Sequence, residues 1–239
     1  MAGPRCLLSV LAATLLTLLQ ATPSSATDYP SAAPIWNGLY VGVHGGVASA
    51  NLSYTFDSFL GPEKFDHNPQ GWVGGGQIGL QRQSGRYVFG IEASYSALNL
   101  SDTAESLLLA NRFRHIEIND LVLVTARLGL ALDHWMPYVK AGYAGANVDT
   151  LVYMGGGGTG SSTSGWENGW TVGAGLEFLC GRGFVLGLEY DYVRLDLDSR
   201  DGQFPDHKAF TYKSFDNDIH LFTARLSYKF GPSEPKPLK

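Results

Sequence analysis

The sequence predicts an all-β fold, an eight-stranded antiparallel transmembrane barrel of the up-and-down kind, and three observations carry that prediction. Several segments of roughly ten residues alternate apolar and polar side chains with the period of two that a strand imposes. The gaps between them alternate short and long, the asymmetry of barrels with tight turns on one side of a membrane and longer loops on the other. Finally, the chain has 30 glycines, 12% aromatic residues and only 16% charged residues, which suits bent, closely packed strands with aromatic faces rather than a disordered chain.

The 239 residues carry a formal charge of −5, so no basic balance points to a nucleic-acid partner. Residues 1–26 read as an export signal, with Arg5 before the apolar run of residues 7–19 and the small residues Ser24, Ser25 and Ala26 at a cleavage site. That run is shorter than the ~20 residues a spanning helix needs. Cys6 precedes the run, so it is not a lipid-attachment cysteine. Removal of the signal leaves Cys180 alone, and no intramolecular disulfide can form. Residues 27–35 then form a linker, 36–230 the barrel and 231–239 a periplasmic tail. An exported chain without a further long apolar run is periplasmic, secreted or a membrane barrel.

The first strand, 39–54, sets Leu39, Val41, Val43 and Val47 against Tyr40, Gly42, His44 and Gly46. The second, 71–82, opposes Trp72, Ile78 and Leu80 to Gln77 and Gln81, and the turn Ser84-Gly85-Arg86 leads to the third, 87–97, with Tyr87, Phe89, Ile91 and Tyr95 outward. The fourth, 120–132, and the fifth, 137–148, flank a turn at Asp133-His134-Trp135; the sixth, 169–179, and seventh, 184–195, flank Gly181-Arg182-Gly183. The eighth, 218–230, has His220, Phe222, Ala224, Leu226, Tyr228 and Phe230 on one face, then meets Gly231-Pro232, which cannot extend a sheet. Closure requires it to pair with the first strand near residues 39–47 as well as with the seventh. The gaps 55–70, 98–119, 149–168 and 196–217 are expected as long external loops.

The polar face of these strands is mostly Gly, Ser, Thr and Gln, with charges at Glu92, Arg127, Lys140, Glu177, Glu189, Asp191 and Arg225. Eight strands enclose a lumen that side chains can fill, so these residues are expected to form an interior charge network, with Arg225 in reach of some of Glu92, Glu177, Glu189 or Asp191. Aromatic residues at strand ends suit the two membrane interfaces. Trp36, Tyr87, Trp135, Tyr138, Tyr228 and Phe230 are expected at the periplasmic rim, and Tyr54, Tyr95 and Tyr192 at the outer one.

The run Gly71-Trp72-Val73-Gly74-Gly75-Gly76-Gln77-Ile78-Gly79, followed by Tyr87-Val88-Phe89-Gly90-Ile91-Glu92-Ala93, resembles the small outer-membrane β-barrel proteins of alphaproteobacteria, the OmpA-like and opacity-porin group. Trp36-Asn37-Gly38-Leu39-Tyr40-Val41-Gly42, Thr125-Ala126-Arg127-Leu128-Gly129, Pro137-Tyr138-Val139 and the Phe-ended last strand look like the same family. The resemblance implies the outer membrane of a Gram-negative bacterium, lipid as a partner, and host or envelope components as partners through external loops.

No nucleophile elbow, phosphate loop or metal-binding spacing is present, and the chain is read as a non-enzyme without cofactor or metal. His44, on the polar face, reads as a satisfied interior side chain, and His220 lies near the outer rim. His67, His115 and His207 fall in long gaps, and relatives described as hemin-binding make them candidate hemin ligands, against the plainer reading as solvated loop residues. The leading functional reading is a surface barrel with a structural, adhesive or loop-display role. The alternatives are a small-solute porin, a hemin-binding receptor and a soluble lipocalin-type binder.

Overall fold

The computed structural model describes residues 34–58, 61–105, 112–154, 161–196, 200–203 and 209–231. The proposed signal and most of the linker lie outside them, as do residues 107–110, 155–160, His207 and the tail from residue 232.

The described strands are β1 (Gly38–Ser58), β2 (Gly61–His67), β3 (Gln70–Ser84), β4 (Tyr87–Glu105), β5 (Arg112–Leu130), β6 (Trp135–Met154), β7 (Ser161–Leu179), β8 (Phe184–Asp196), β9 (Arg200–Gln203) and β10 (Ala209–Lys229). All ladders are antiparallel. Eight of these strands close a ring, because β10 pairs with β8 on one side and with β1 on the other, from Tyr40 opposite Lys229 to Asp57 opposite Thr211. Among the described residues, the short strand β2 pairs with β1 and the short strand β9 with β10.

Three tight turns join the strands at one end. Gly85 takes a left-handed φ of 60° between β3 and β4, while Asp133, at 52°, adopts it despite its side chain. In that second turn the N–H groups of Leu132 and Trp135 each donate to the other's carbonyl, so the close hairpin holds Asp133 in this conformation.

Outward side chains form one apolar band. Val43, Val47, Ile78, Phe89, Ile91, Val124, Val139, Leu186, Leu188 and Phe222 are all exposed, within residues 39–47, 72–80, 87–95, 122–130, 135–143, 170–178, 184–192 and 222–230. Each stretch falls in the ~9–11 residues with which a tilted strand crosses the hydrocarbon core. At its periplasmic edge Trp135 packs on Phe178 with ring centroids 4.6 Å apart, and Tyr228 lies edge-on between Phe184 and Phe230. At its outer edge Tyr192 touches both Trp170 and His220.

Two aromatic residues expected in these belts are elsewhere. Tyr138 shares the parity of Lys140 and points into the lumen, where it is buried. Trp36 precedes β1; residues 34–37 turn beneath the barrel and carry its side chain into the periplasmic mouth, where it is 0% exposed.

The long gaps differ from expectation in kind. Much of the expected loop length is strand: β1 runs to Ser58, β4 to Glu105, β6 to Met154, and β5, β7 and β10 begin at Arg112, Ser161 and Ala209. The reason is a reversal of polarity. Above the apolar band the inward side chains become apolar (Ala48, Ala50, Leu98, Leu100, Ile118, Val148, Val193, Leu195, Ile219). At the same height the outward positions become polar, with Asn51, Asn99, Asp120, Asn147, Asn168 and Asp218 on β1, β4, β5, β6, β7 and β10. A strand leaving oil for water must turn its pattern inside out, so the outward apolar faces end at that line.

Candidate functional site

The lumen is built in three layers by strand parity. At the periplasmic end Ile35, Trp36, Val88, Ala131, Met136, Leu179 and Val185 form an apolar stopper. Trp36 is pinned there: its Nε1–H donates to the Asp133 carbonyl at 3.0 Å and its backbone N–H to Gln83 Oε1 at 3.1 Å. Lys229 Nζ donates to the Asn37 carbonyl at 3.2 Å, tying the same segment to the closing strand.

The charge layer lies above this stopper, at mid-membrane. Arg127, on β5, donates through Nη1 to Glu92 on β4 at 3.2 Å and through Nη2 to Glu177 on β7 at 2.6 Å. Lys140, on β6, pairs with Glu189 at 2.9 Å and Asp191 at 3.1 Å, both on β8. Arg225, on β10, donates to both Glu92 and Glu189. All seven side chains are buried, and the network ties β4, β5, β6, β7, β8 and β10 across the barrel. In a region closed to water each charge needs such partners, because an isolated buried ion costs several kcal/mol.

Two tyrosines complete the layer. The Tyr40 hydroxyl donates to Glu92 at 2.7 Å, and the Tyr138 hydroxyl donates to Glu189. Their rings reach the axis because glycines lie beneath them: a Cβ on Gly79 would come within 2.3 Å of the Tyr40 ring, and one on Gly175 within 2.5 Å of the Tyr138 ring. The Arg127 guanidinium sits over the Tyr138 ring, 3.9 Å from its centroid, an arrangement in which ring and carboxylates share one cation.

His44 is hydrogen-bonded on both sides, to Gln77 Oε1 at 2.7 Å and Ser96 Oγ at 2.9 Å. A serine, a histidine and an orienting group in a row have the geometry of nucleophilic catalysis. Here, however, the adjoining cavity, lined by His44, Ser96, Asp191, Thr223 and Arg225, holds about one water molecule. The row links β1, β3 and β4 as a hydrogen-bond chain. The third layer, the apolar core above the boundary, then covers the cluster from outside.

The candidate hemin histidines stand on different strands. His67 lies on β2 opposite Leu52, whereas His115 lies on β5 opposite Thr103 and Leu151, with its Nε2 4.0 Å from Glu117. His207 is outside the described residues. Among the described residues no cluster of His, Cys, Asp and Glu has the makings of a metal site. The role of Trp36 escaped the sequence reading because a lone tryptophan before a strand carries no periodicity; the parity that placed Lys140 inside was already enough to place Tyr138 there.

A closed ring of strands with an apolar exterior band and a charged, packed interior defines an integral β-barrel of the outer membrane. The model of one family, the outer membrane protein beta-barrel domain, matches residues 10–230. The chain belongs to that family, and its place is the outer membrane of a Gram-negative bacterium, with lipid around its wall. It is similar to the 31 kDa outer-membrane immunogenic protein of Brucella melitensis, with 28% identity over 86% of this chain and 90% of that relative. Among solved structures it is similar to the protein OprG of Pseudomonas aeruginosa (9% identity, TM-score 0.49, 81% of this chain and 97% of that one). It is also similar to the outer membrane protease OmpT of Escherichia coli (10% identity, TM-score 0.49, 84% and 99%).

Proposed function

We propose that this protein is a display barrel: a rigid anchor that holds a wall of strands above the outer membrane for contact with host or envelope components. The observation that carries this reading is the division of labour along each strand. Inside the membrane the lumen is filled by the Trp36 stopper and the charge network, and just above it by an apolar core. Outside the membrane β1, β4, β5, β6, β7 and β10 continue for several residues, and the outward positions just above the apolar band, Asn51, Asn99, Asp120, Asn147, Asn168 and Asp218, are polar. A conduit needs the first region open, whereas a display surface needs only the second. The name of the Brucella relative, an immunogenic protein, supports exposure at the cell surface.

The test has two arms. Purified protein in planar bilayers is expected to give no reproducible conductance steps, and bacteria expressing it are expected to bind host-cell surfaces better than bacteria whose hairpins are trimmed to the level of Asn51, Asn99, Asn147 and Asn168. Regular single-channel steps overturn the reading in favour of a small-solute pore. Equal binding by trimmed and full-length barrels overturns display.

A further inference from the structure

Trp72, Trp135 and Trp170 are exposed within the apolar band, whereas Trp166 is exposed above it. It lies opposite Asn147 in the β6–β7 ladder, next to Asn168 opposite Gly145, at a height where outward positions are polar. A tryptophan of a membrane girdle sinks its ring toward oil and turns its N–H to the wet side. Trp166 instead spends its N–H on the protein. Its Nε1–H donates to the Tyr143 hydroxyl at 3.1 Å, and that hydroxyl donates to Asn168 Oδ1 at 2.6 Å. The ring also occupies the place a side chain at position 145 would need, because a Cβ on Gly145 would come within 2.5 Å of it. The bond and the glycine together hold the indole in one position, with 48% of its surface still exposed.

We propose that Trp166, with Asn147 and Asn168 beside it, binds the sugar headgroup of an outer-leaflet glycolipid whose acyl chains lie on the apolar band below. Position names the occupant. Asn168 lies two residues beyond Trp170 on β7. On a strand tilted ~40° that is about 5 Å further along the membrane normal, inside a headgroup layer roughly 5–7 Å thick. The patch is also continuous with the lipid-facing wall, since Tyr143 lies opposite Trp170 and Ala141 opposite Val172, all four exposed. The outward leaflet of a Gram-negative outer membrane is built of glycolipid, so the headgroup at this height is a sugar.

The chemistry of the patch suits that headgroup. One face of a sugar ring is a set of C–H groups with slight positive charge, which complements the negative face of an indole. The hydroxyls around its rim take hydrogen bonds from amides. Ser164 Oγ donates to Asn147 Oδ1 at 3.4 Å, as Tyr143 does to Asn168 Oδ1. Each amide thus turns its oxygen to a protein hydroxyl and offers its NH2 as a donor.

The test uses the full chain in phosphatidylglycerol nanodiscs that contain either lipid A, an acylated glucosamine disaccharide, or phosphatidylcholine at the same fraction. Nuclear Overhauser contacts are expected between the Trp166 ring protons and the sugar protons of lipid A. Native mass spectrometry then counts the lipid A retained per barrel. W166A is expected to lower that retention about two- to tenfold, and G145A, which keeps the indole but fills its resting place, to lower it as well. W135A removes an indole of the same 48% exposure at the periplasmic edge and is expected to leave retention unchanged; each variant is first checked for the heat-dependent gel shift of a folded barrel. Absence of the sugar contacts in the parent protein refutes the site. Equally strong contacts from choline methyl groups assign the ring to an ammonium headgroup and overturn the proposal, as does an equal loss in W135A, which reduces Trp166 to an ordinary girdle residue. If the deacylated disaccharide binds as tightly as lipid A, the ligand is a free glycan and the lipid assignment fails.

Discussion

Replacing Arg225 by methionine tests the lumen network most directly. The guanidinium donates to both Glu92 and Glu189. Its loss leaves the four carboxylates Glu92, Glu177, Glu189 and Asp191 with only Arg127 and Lys140, and Arg127 reaches Glu92 and Glu177 but not β8. Lys140 alone then serves Glu189 and Asp191. Removing one partner of a buried ion pair costs about 3–5 kcal/mol, chiefly because the remaining charge is stranded. Two carboxylates lose a partner here, so the expected loss lies toward the top of that range. The assay is reversible urea unfolding in lipid vesicles, followed by tryptophan fluorescence. The second variant, R225M/E189Q, removes a stranded charge and should recover about 1–3 kcal/mol as a non-additive coupling. If R225M unfolds within about 0.5 kcal/mol of the parent, or if the two substitutions are simply additive, the network is not what braces this barrel.

Three further outcomes follow from the same geometry. W36A is expected to cost about 3–5 kcal/mol by emptying the periplasmic stopper, yet to stay silent in planar bilayers because the outer core still seals the lumen; conductance in W36A alone refutes the outer seal. V43R, in the apolar band, is expected to destabilise vesicle-embedded protein by about 2–4 kcal/mol, against about 0–1 kcal/mol for N147R just above the polarity line, and equal costs would misplace the membrane boundary. G175A drives a methyl into the Tyr138 ring and is expected to cost about 1–3 kcal/mol in the same unfolding assay, and an unchanged stability refutes that close packing.

The residues made the membrane-spanning part legible because one physical demand acts on every position there. Each outward side chain meets oil and each inward one meets the axis, so period two alone assigns both faces, and Val43, Ile91 and Leu188 stand outward as expected. Pairing of 218–230 with the first and seventh expected strands also follows, since an open edge in lipid would leave its backbone unpaired. Above the bilayer the demand reverses: Ile118, Val148 and Ile219 are inward in a stretch whose outside is water. The same alternation then carries the opposite sign, and the outer strands read as loops.

What the sequence by itself determined is the local rule: which stretches cross the membrane as strands, which face of each is apolar there, and which charges share the inward face. That rule is fixed by the two-residue repeat of a strand and by the cost of polar groups in oil. Only the tertiary structure decided the combinations. Arg225 meets Glu92 across 133 positions of sequence because strand tilt and register bring β10 opposite β4. Tyr138 reaches Glu189 because Gly175 lies beneath its ring. Trp36 becomes a stopper because the segment before β1 turns under a mouth that no single strand possesses. Contacts across a closed ring depend on every register at once, and for that reason no one stretch of sequence encodes them.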